Sequence, residues 1–181
     1  MEIPSLILSA TLIDSLRRVT RGLPFWEDYL TKLSPHGPTP YAVHVAVVSD
    51  PYLDYILDGT KTVESRFSKN RIAPYHSVKE GDVVLLKRTS KRTLSAICLV
   101  SNVWFYEIGS EGWSHVRRAF SANLRIEHQS FWEKKEESRF ATLMRISNVQ
   151  ALSTIEISKR DRRGWVVMKN EKRPLLAEEE A

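Results

Sequence analysis

The chain has 181 residues, 42% apolar and 27% charged, with a formal net charge of +5. Such a composition supports one substantial core and excludes a disordered polyelectrolyte. No apolar run reaches the roughly 20 residues of a membrane span, and the single cysteine, Cys98, excludes an intrachain disulfide. A reducing, cytoplasmic setting with no membrane partner is therefore expected.

Residues 1–40 read as a helical extension ending in a linker. The apolar stretch Ile3–Ile13 follows Glu2 and has no basic leader, so it reads as the start of a core-packing helix rather than a signal peptide. Leu12, Leu16 and Val19 recur at helical spacing until Gly22 and Pro24 break the pattern, and Trp26, Tyr29, Leu30 and Leu33 form a second stripe. Ser34–Pro40 is a linker by composition. The extension has two candidate roles: a layer packed on the main domain, or a helical pair for an unidentified protein partner.

Residues 41–168 form the main domain. Val43, Val45 and Val47 alternate as in a strand, with His44 on the other face as a structural histidine. Asp50 is a candidate cap for a helix carrying Leu53, Ile56 and Leu57, with Pro51 in its first turn, and Gly59 ends it. The period then changes to two: Val63 takes one face, while Thr62, Glu64 and Arg66 share the other. Glu64 and Arg66 would then lie about 7 Å apart. Lys61 has the opposite parity and joins them only if the chain bends at the glycine. After a basic loop over residues 67–80, Gly81-Asp82 leads into a strand at Val83–Leu86. A hairpin carrying Lys87, Arg88, Lys91 and Arg92 returns through Leu94–Val103, where Cys98 reads as a buried, inert thiol.

Residues 104–139 read as a helical insertion. Trp113, Val116 and Phe120 share one helical face, and Ser130-Phe131-Trp132-Glu133 has the capping-box pattern that starts a second helix. The dense aromatics here read as core, with one or two as candidates for stacking on a base. Strands at Phe140–Val149, Ile155–Ile157 and Gly164–Met168 close the domain, the last preceded by the basic turn Lys159–Arg163. Residues 169–181 read as a frayed acidic tail.

Charge is local. Residues 1–40 are net zero and residues 169–181 net −1, so the middle carries +6. Between Arg66 and Arg92 eight Lys or Arg stand against Glu80 and Asp82, which accounts for all of that excess. Such a run is either a solvated hairpin face or a surface that tracks phosphates. His36, His44, His76, His115 and His128 are too far apart for a helical or ribbon metal motif, and no Walker loop, G-x-S-x-G or zinc spacing is present. No metal and no cofactor are expected; any chemistry must come from the Lys61 region.

Gly59, Lys61, Glu64 and Arg66 form a G-x-K-x-x-E-x-R pattern that resembles the signature of ASCH domains, a branch of the PUA-like superfamily. Gly81-Asp82-Val83-Val84-Leu85, Phe140-Ala141-Thr142 and Gly164-Trp165-Val166-Val167 resemble later strands of the same family, in the same order, so the resemblance spans roughly residues 41 to 168. It implies an α+β fold: a small mixed PUA-like β-barrel with flanking helices, to which this chain adds its N-terminal helical extension. It also implies a concave pocket for RNA or a modified base.

Three functions are then open. In the first, the domain binds RNA or a nucleoside or nucleotide. Glu64 accepts from the exocyclic amine of a cytosine-like base, Lys61 and Arg66 pair with phosphate or a carbonyl, and Arg71, Lys87, Arg88, Lys91 and Arg92 hold the backbone. In the second, it is an amidohydrolase acting on N4-acylated cytidine. Some small ASCH proteins resemble this chain in the Gly-x-Lys start and use a Lys, a Thr three residues later and a downstream Glu. Lys61 matches the first, Glu64 occupies the Thr position with Thr62 nearby, and Glu107 or Glu111 is the candidate for the third. Burial or Arg66 would lower the pKa of such a lysine base, and Glu64 would raise it. In the third, the domain is a structural or protein-interaction module. Lys61, Glu64 and Arg66 then form a surface ladder worth only ~0–1 kcal/mol, so that Glu64→Gln should barely alter melting under this reading or the functional one, and ligand discrimination decides.

Overall fold

The computed structural model describes residues 6–109, 112–152, 155–157 and 163–170. In chain order its elements are β1 (Ile7–Leu8), α1 (Ala10–Val19), α2 (Pro24–Thr31), β2 (Val43–Val48), α3 (Tyr52–Leu57), β3 (Val63–Ser68), β4 (Val83–Arg88) and β5 (Leu94–Glu107). There follow α4 (Gly112–Leu124), α5 (Gln129–Glu133), β6 (Phe140–Ala151), β7 (Trp165–Val167) and β8 (Lys169–Asn170).

Six strands form one mixed sheet in the order β3-β6-β5-β4-β2-β7. Only β2 and β4 run parallel; the other neighbours are antiparallel. The sheet curls into a half-barrel whose edge strands are β3 and β7. Across the gap between them, the Arg66 guanidinium donates to Val47 O at 3.0 Å and Gly164 O at 3.3 Å.

Both faces of the sheet are covered, which is why β2 and β4 are apolar almost throughout. On one face, Val43, Val45, Val83, Leu85 and Ile97 pack against Ile13, Leu16, Trp26 and Leu30 of α1 and α2. On the other, Ala46, Val48, Val84, Leu86 and Cys98 meet Leu53 and Ile56 of α3. Around β3 and β6, Val63 and Leu143 pack on Val116, Phe120, Leu124 and Trp132 from α4 and α5. The N-terminal helices are thus a layer of the same core. Arg17 ties them together by donating to Leu30 O at 3.1 Å and Leu33 O at 3.0 Å, at the end of α2 and just beyond it.

Several sequence expectations shift. β5 runs on to Glu107, so Trp104, Phe105 and Tyr106 belong to a strand, paired with Leu143, Thr142 and Ala141 of β6, and not to the insertion. Pro51, not Asp50, sits at the cap of α3, and the Asp50 carboxylate is taken by Arg88 instead. α5 begins at Gln129 after His128, which places Ser130 inside the helix and leaves the capping box unused. Among the described residues, Ile155–Ile157 makes only the bridge Thr93↔Glu156. Lys169 and Asn170 are not frayed but pair in parallel with Ile7 and Leu8. Residues 171–181, and Lys159–Arg162 of the basic turn, lie outside the described residues. No helix among the described residues is long and apolar enough to cross a membrane.

Candidate functional site

The site begins where α3 ends. Gly59 takes a φ of +80°, the left-handed turn that stops a helix, and the Lys61 amide then bonds back to Tyr55 O at 2.7 Å. This is the bend that Lys61 required. Its side chain turns inward before β3 starts and is 3% exposed. Its ammonium donates to Val63 O at 2.6 Å and Leu124 O at 3.4 Å and lies 3.4 Å from Glu64 Oε2. The other carboxylate oxygen, Oε1, is 3.0 Å from Arg66 Nη2. Arg66 lies over the Trp165 ring at 5.3 Å. His44 holds that ring from behind: the indole N–H donates to His44 Nδ1 at 3.1 Å, so Nε2 carries the proton and faces Asp82 Oδ2 at 3.0 Å.

Lys61, Glu64 and Arg66 line a slot of about 220 Å³ between β3 and the end of β2, walled by Tyr52, Phe67, Phe131 and Lys135. The register of β3 explains the slot. Ile146 N–H bonds Thr62 O at 3.0 Å, and the same alternation aims Glu64 and Arg66 main-chain groups at β6. The N–H and C=O of Ser65 and Phe67 therefore face the open edge, and both residues line the slot.

Three cations, Lys61, Arg66 and Lys135, share the slot with one carboxylate, Glu64. Burial pushes the Lys61 ammonium below the ordinary lysine range; Glu64 pulls it back up and Arg66 adds to the lowering. Burial also lowers Lys135, with Arg66 and Lys134 acting in the same direction. The Tyr52 phenol is raised by burial and by Tyr55.

No protein-family model matches the sequence, and no curated protein matches it either. Solved structures do. The crystal structure of an ASCH protein from Zymomonas mobilis matches with a TM-score of 0.56 at 12% identity, covering 70% of this chain and 87% of the neighbour. A tyrosine-to-phenylalanine variant of that protein matches at 0.54 and 11% identity, over 70% of this chain and 90% of its own. A serine-to-alanine variant gives the same TM-score and identity, over 70% and 88%. The chain has the ASCH fold. At this level of identity the likeness concerns the fold and not an activity.

Within this ASCH fold the other sequence candidates fall outside the slot. Thr62 is exposed, and its hydroxyl accepts from Asn123 Nδ2 at 3.1 Å. Arg71 is exposed and paired with Glu107, which removes both from the site. Glu111 lies outside the described residues. Arg88 is held by Asp50 and by Asp54, the latter at 2.6 Å. Lys87 is 9% exposed and donates to Arg88 O at 3.3 Å. Lys91 and Arg92 are exposed at the hairpin turn. The expected surface ladder is also corrected: Lys61 and Glu64 form an ion-paired chain with Arg66, but the first two are buried and Arg66 is partly so. Sequence reasoning missed Lys135, Tyr52 and the Ser65 main chain. Lys135 lies in the turn just past the end of α5, which helical periodicity does not mark.

Proposed function

We propose that the slot of this ASCH fold binds a cytosine-like base, carried by RNA or a nucleotide, with Glu64 as the reading residue. The observation that carries this is a carboxylate held in place on the wall of a small slot by two cations. Lys61 faces three acceptors, Val63 O, Leu124 O and Glu64, which match the three N–H groups of an ammonium. It therefore positions Glu64 more than it reaches a ligand. Each Glu64 oxygen keeps acceptor capacity for an exocyclic amine. The open main-chain edge at Ser65 and Phe67 offers further donors and acceptors, and Phe131 offers an aromatic face. A volume of about 220 Å³ is below the range of pockets for larger ligands and suits a single ring.

Burial of Lys61 favours one second reading, amide hydrolysis of an N4-acylated cytidine with Lys61 as base, since desolvation lowers its pKa toward a useful range. Calorimetric titration of wild type, Glu64→Gln and Lys61→Ala with cytidine, uridine and N4-acylated cytidine, with product detection, tests both. Binding should favour cytidine over uridine, and Glu64→Gln should relax that preference by about 1–3 kcal/mol. Equal affinity for cytidine and uridine, or none for either, would overturn the base-reading role. Turnover that disappears in Lys61→Ala would establish the hydrolase instead.

A further inference from the structure

Several cations near the slot and along the basic run are held in ion pairs. Lys69 pairs with Glu137, Arg71 with Glu107, Arg88 with Asp50 and Asp54, and Lys61 and Arg66 share Glu64. Lys135 differs. It is half-buried on the wall of the slot, and no ion pair among the described residues includes it. The one carboxylate on that wall, Glu64, is already committed to two other cations. The slot thus holds three positive groups against one negative, with the surplus in a partly desolvated place where a charge interacts more strongly than at the surface. An apolar or neutral ligand would leave that surplus uncompensated, and an anionic group would neutralise it.

We infer that Lys135 forms an anion subsite at the mouth of the slot, so that the ligand is a nucleotide held by its phosphate and not a free nucleoside. This rests on the base-binding reading above and names the ligand class for the same site. The placement suits the chemistry. The Lys135 ammonium lies 5.7 Å from the centroid of the Phe131 ring. The ammonium sits over that ring, so a base that enters the slot beside Phe131 comes within a sugar's reach of a cation. The side chain donates three hydrogen bonds, and a phosphate oxygen accepts them with charge assistance. Burial and the neighbouring Arg66 and Lys134 already make the ammonium less comfortable than a lysine in water, which is the state an approaching anion relieves. The hairpin cations Lys91 and Arg92, although more exposed, lie outside the slot.

The test compares cytidine, cytidine 5′-monophosphate, cytidine 3′-monophosphate and a dinucleotide carrying one phosphodiester. Each is titrated into wild type, Lys135→Gln and the double variant Lys91→Gln with Arg92→Gln, after thermal melts establish that all three proteins are folded. Wild type should bind a phosphate-bearing ligand about tenfold or more tighter than cytidine, the margin of a charge-assisted hydrogen bond. Lys135→Gln should erase that margin, while the hairpin variant keeps it. The dinucleotide arm distinguishes the source: a margin for the diester points to RNA, and a margin for monophosphates alone points to free nucleotides. Equal binding of cytidine and every phosphate-bearing ligand to wild type would overturn the inference and leave base reading intact. A margin that survives Lys135→Gln and vanishes in the hairpin variant would also overturn it. Failure of cytidine and all its phosphates to bind would overturn the base-reading role as well.

Discussion

Glu64 and Lys61 are stronger structural partners than strand parity suggests, because they meet in the interior. A surface pair could be deleted at almost no cost, but Glu64 is 6% exposed and its loss strands two cations beside the slot. Glu64→Ala should therefore destabilise by about 3–5 kcal/mol in urea denaturation. Glu64→Gln should cost clearly less, because its amide oxygen still accepts from Lys61. Equal and negligible effects would return the pair to the surface-ladder description. Lys61 makes a second prediction, on pH. A lysine whose folded pKa lies below its unfolded value holds fewer protons when folded, across the interval between the two, so stability rises with pH there. Wild type should gain stability relative to Lys61→Met as pH rises from the lowered value toward 10.5. The raised phenols of Tyr29, Tyr41 and Tyr52 act in the opposite direction at alkaline pH, which is why the comparison is made against the variant. A pH-independent difference would contradict the buried ammonium.

At the scale of elements, the slot exists because β3 is an edge strand facing another edge. Arg66 spans the gap with bonds to Val47 O and Gly164 O, and the fork geometry of guanidinium is what lets one side chain reach both. Arg66→Lys should therefore loosen β7 nearly as much as Arg66→Ala, seen as faster hydrogen exchange at Trp165 and Val166 with little change in β4. Full rescue by Lys would reduce Arg66 to a point charge. Much of this region was legible in the sequence. Gly59 announced the bend, and the parity of Glu64 and Arg66 put them on one face. The alternating valines of β2 and the apolar run Val83–Leu86 of β4 announced strands. The gap between β3 and β7 was not legible, because it arises from sheet order, which links residues a hundred positions apart. Nor was the fate of the basic run: Arg71 and Arg88 look available in a linear count, yet Glu107, Asp50 and Asp54 are brought to them by the fold. Trp104, Phe105 and Tyr106 were misplaced because aromatics serve helix faces and strands alike, and only pairing with β6 decides.

For the whole molecule, α1 and α2 complete the core. Leu16 and Leu30 are fully buried against the sheet, so Leu16→Ala should cost about 2–5 kcal/mol. Removing residues 1–40 should leave a chain that does not fold cooperatively, as judged by its melting transition; a sharp, unshifted transition would make the extension a separate appendage. Part of the net positive charge is neutralised in pairs, as at Lys69, Arg71 and Arg88, and two of the cations in the slot share one carboxylate. The central claim is that this slot, read by Glu64, is where a nucleotide base sits. A map of amide chemical shifts during titration with cytidine 5′-monophosphate tests it most directly. The largest changes should fall on Ser65, Phe67, Phe131 and Lys135, and Glu64→Gln should diminish them. Changes confined to Lys91, Arg92 and their hairpin, or no changes at all, would contradict it.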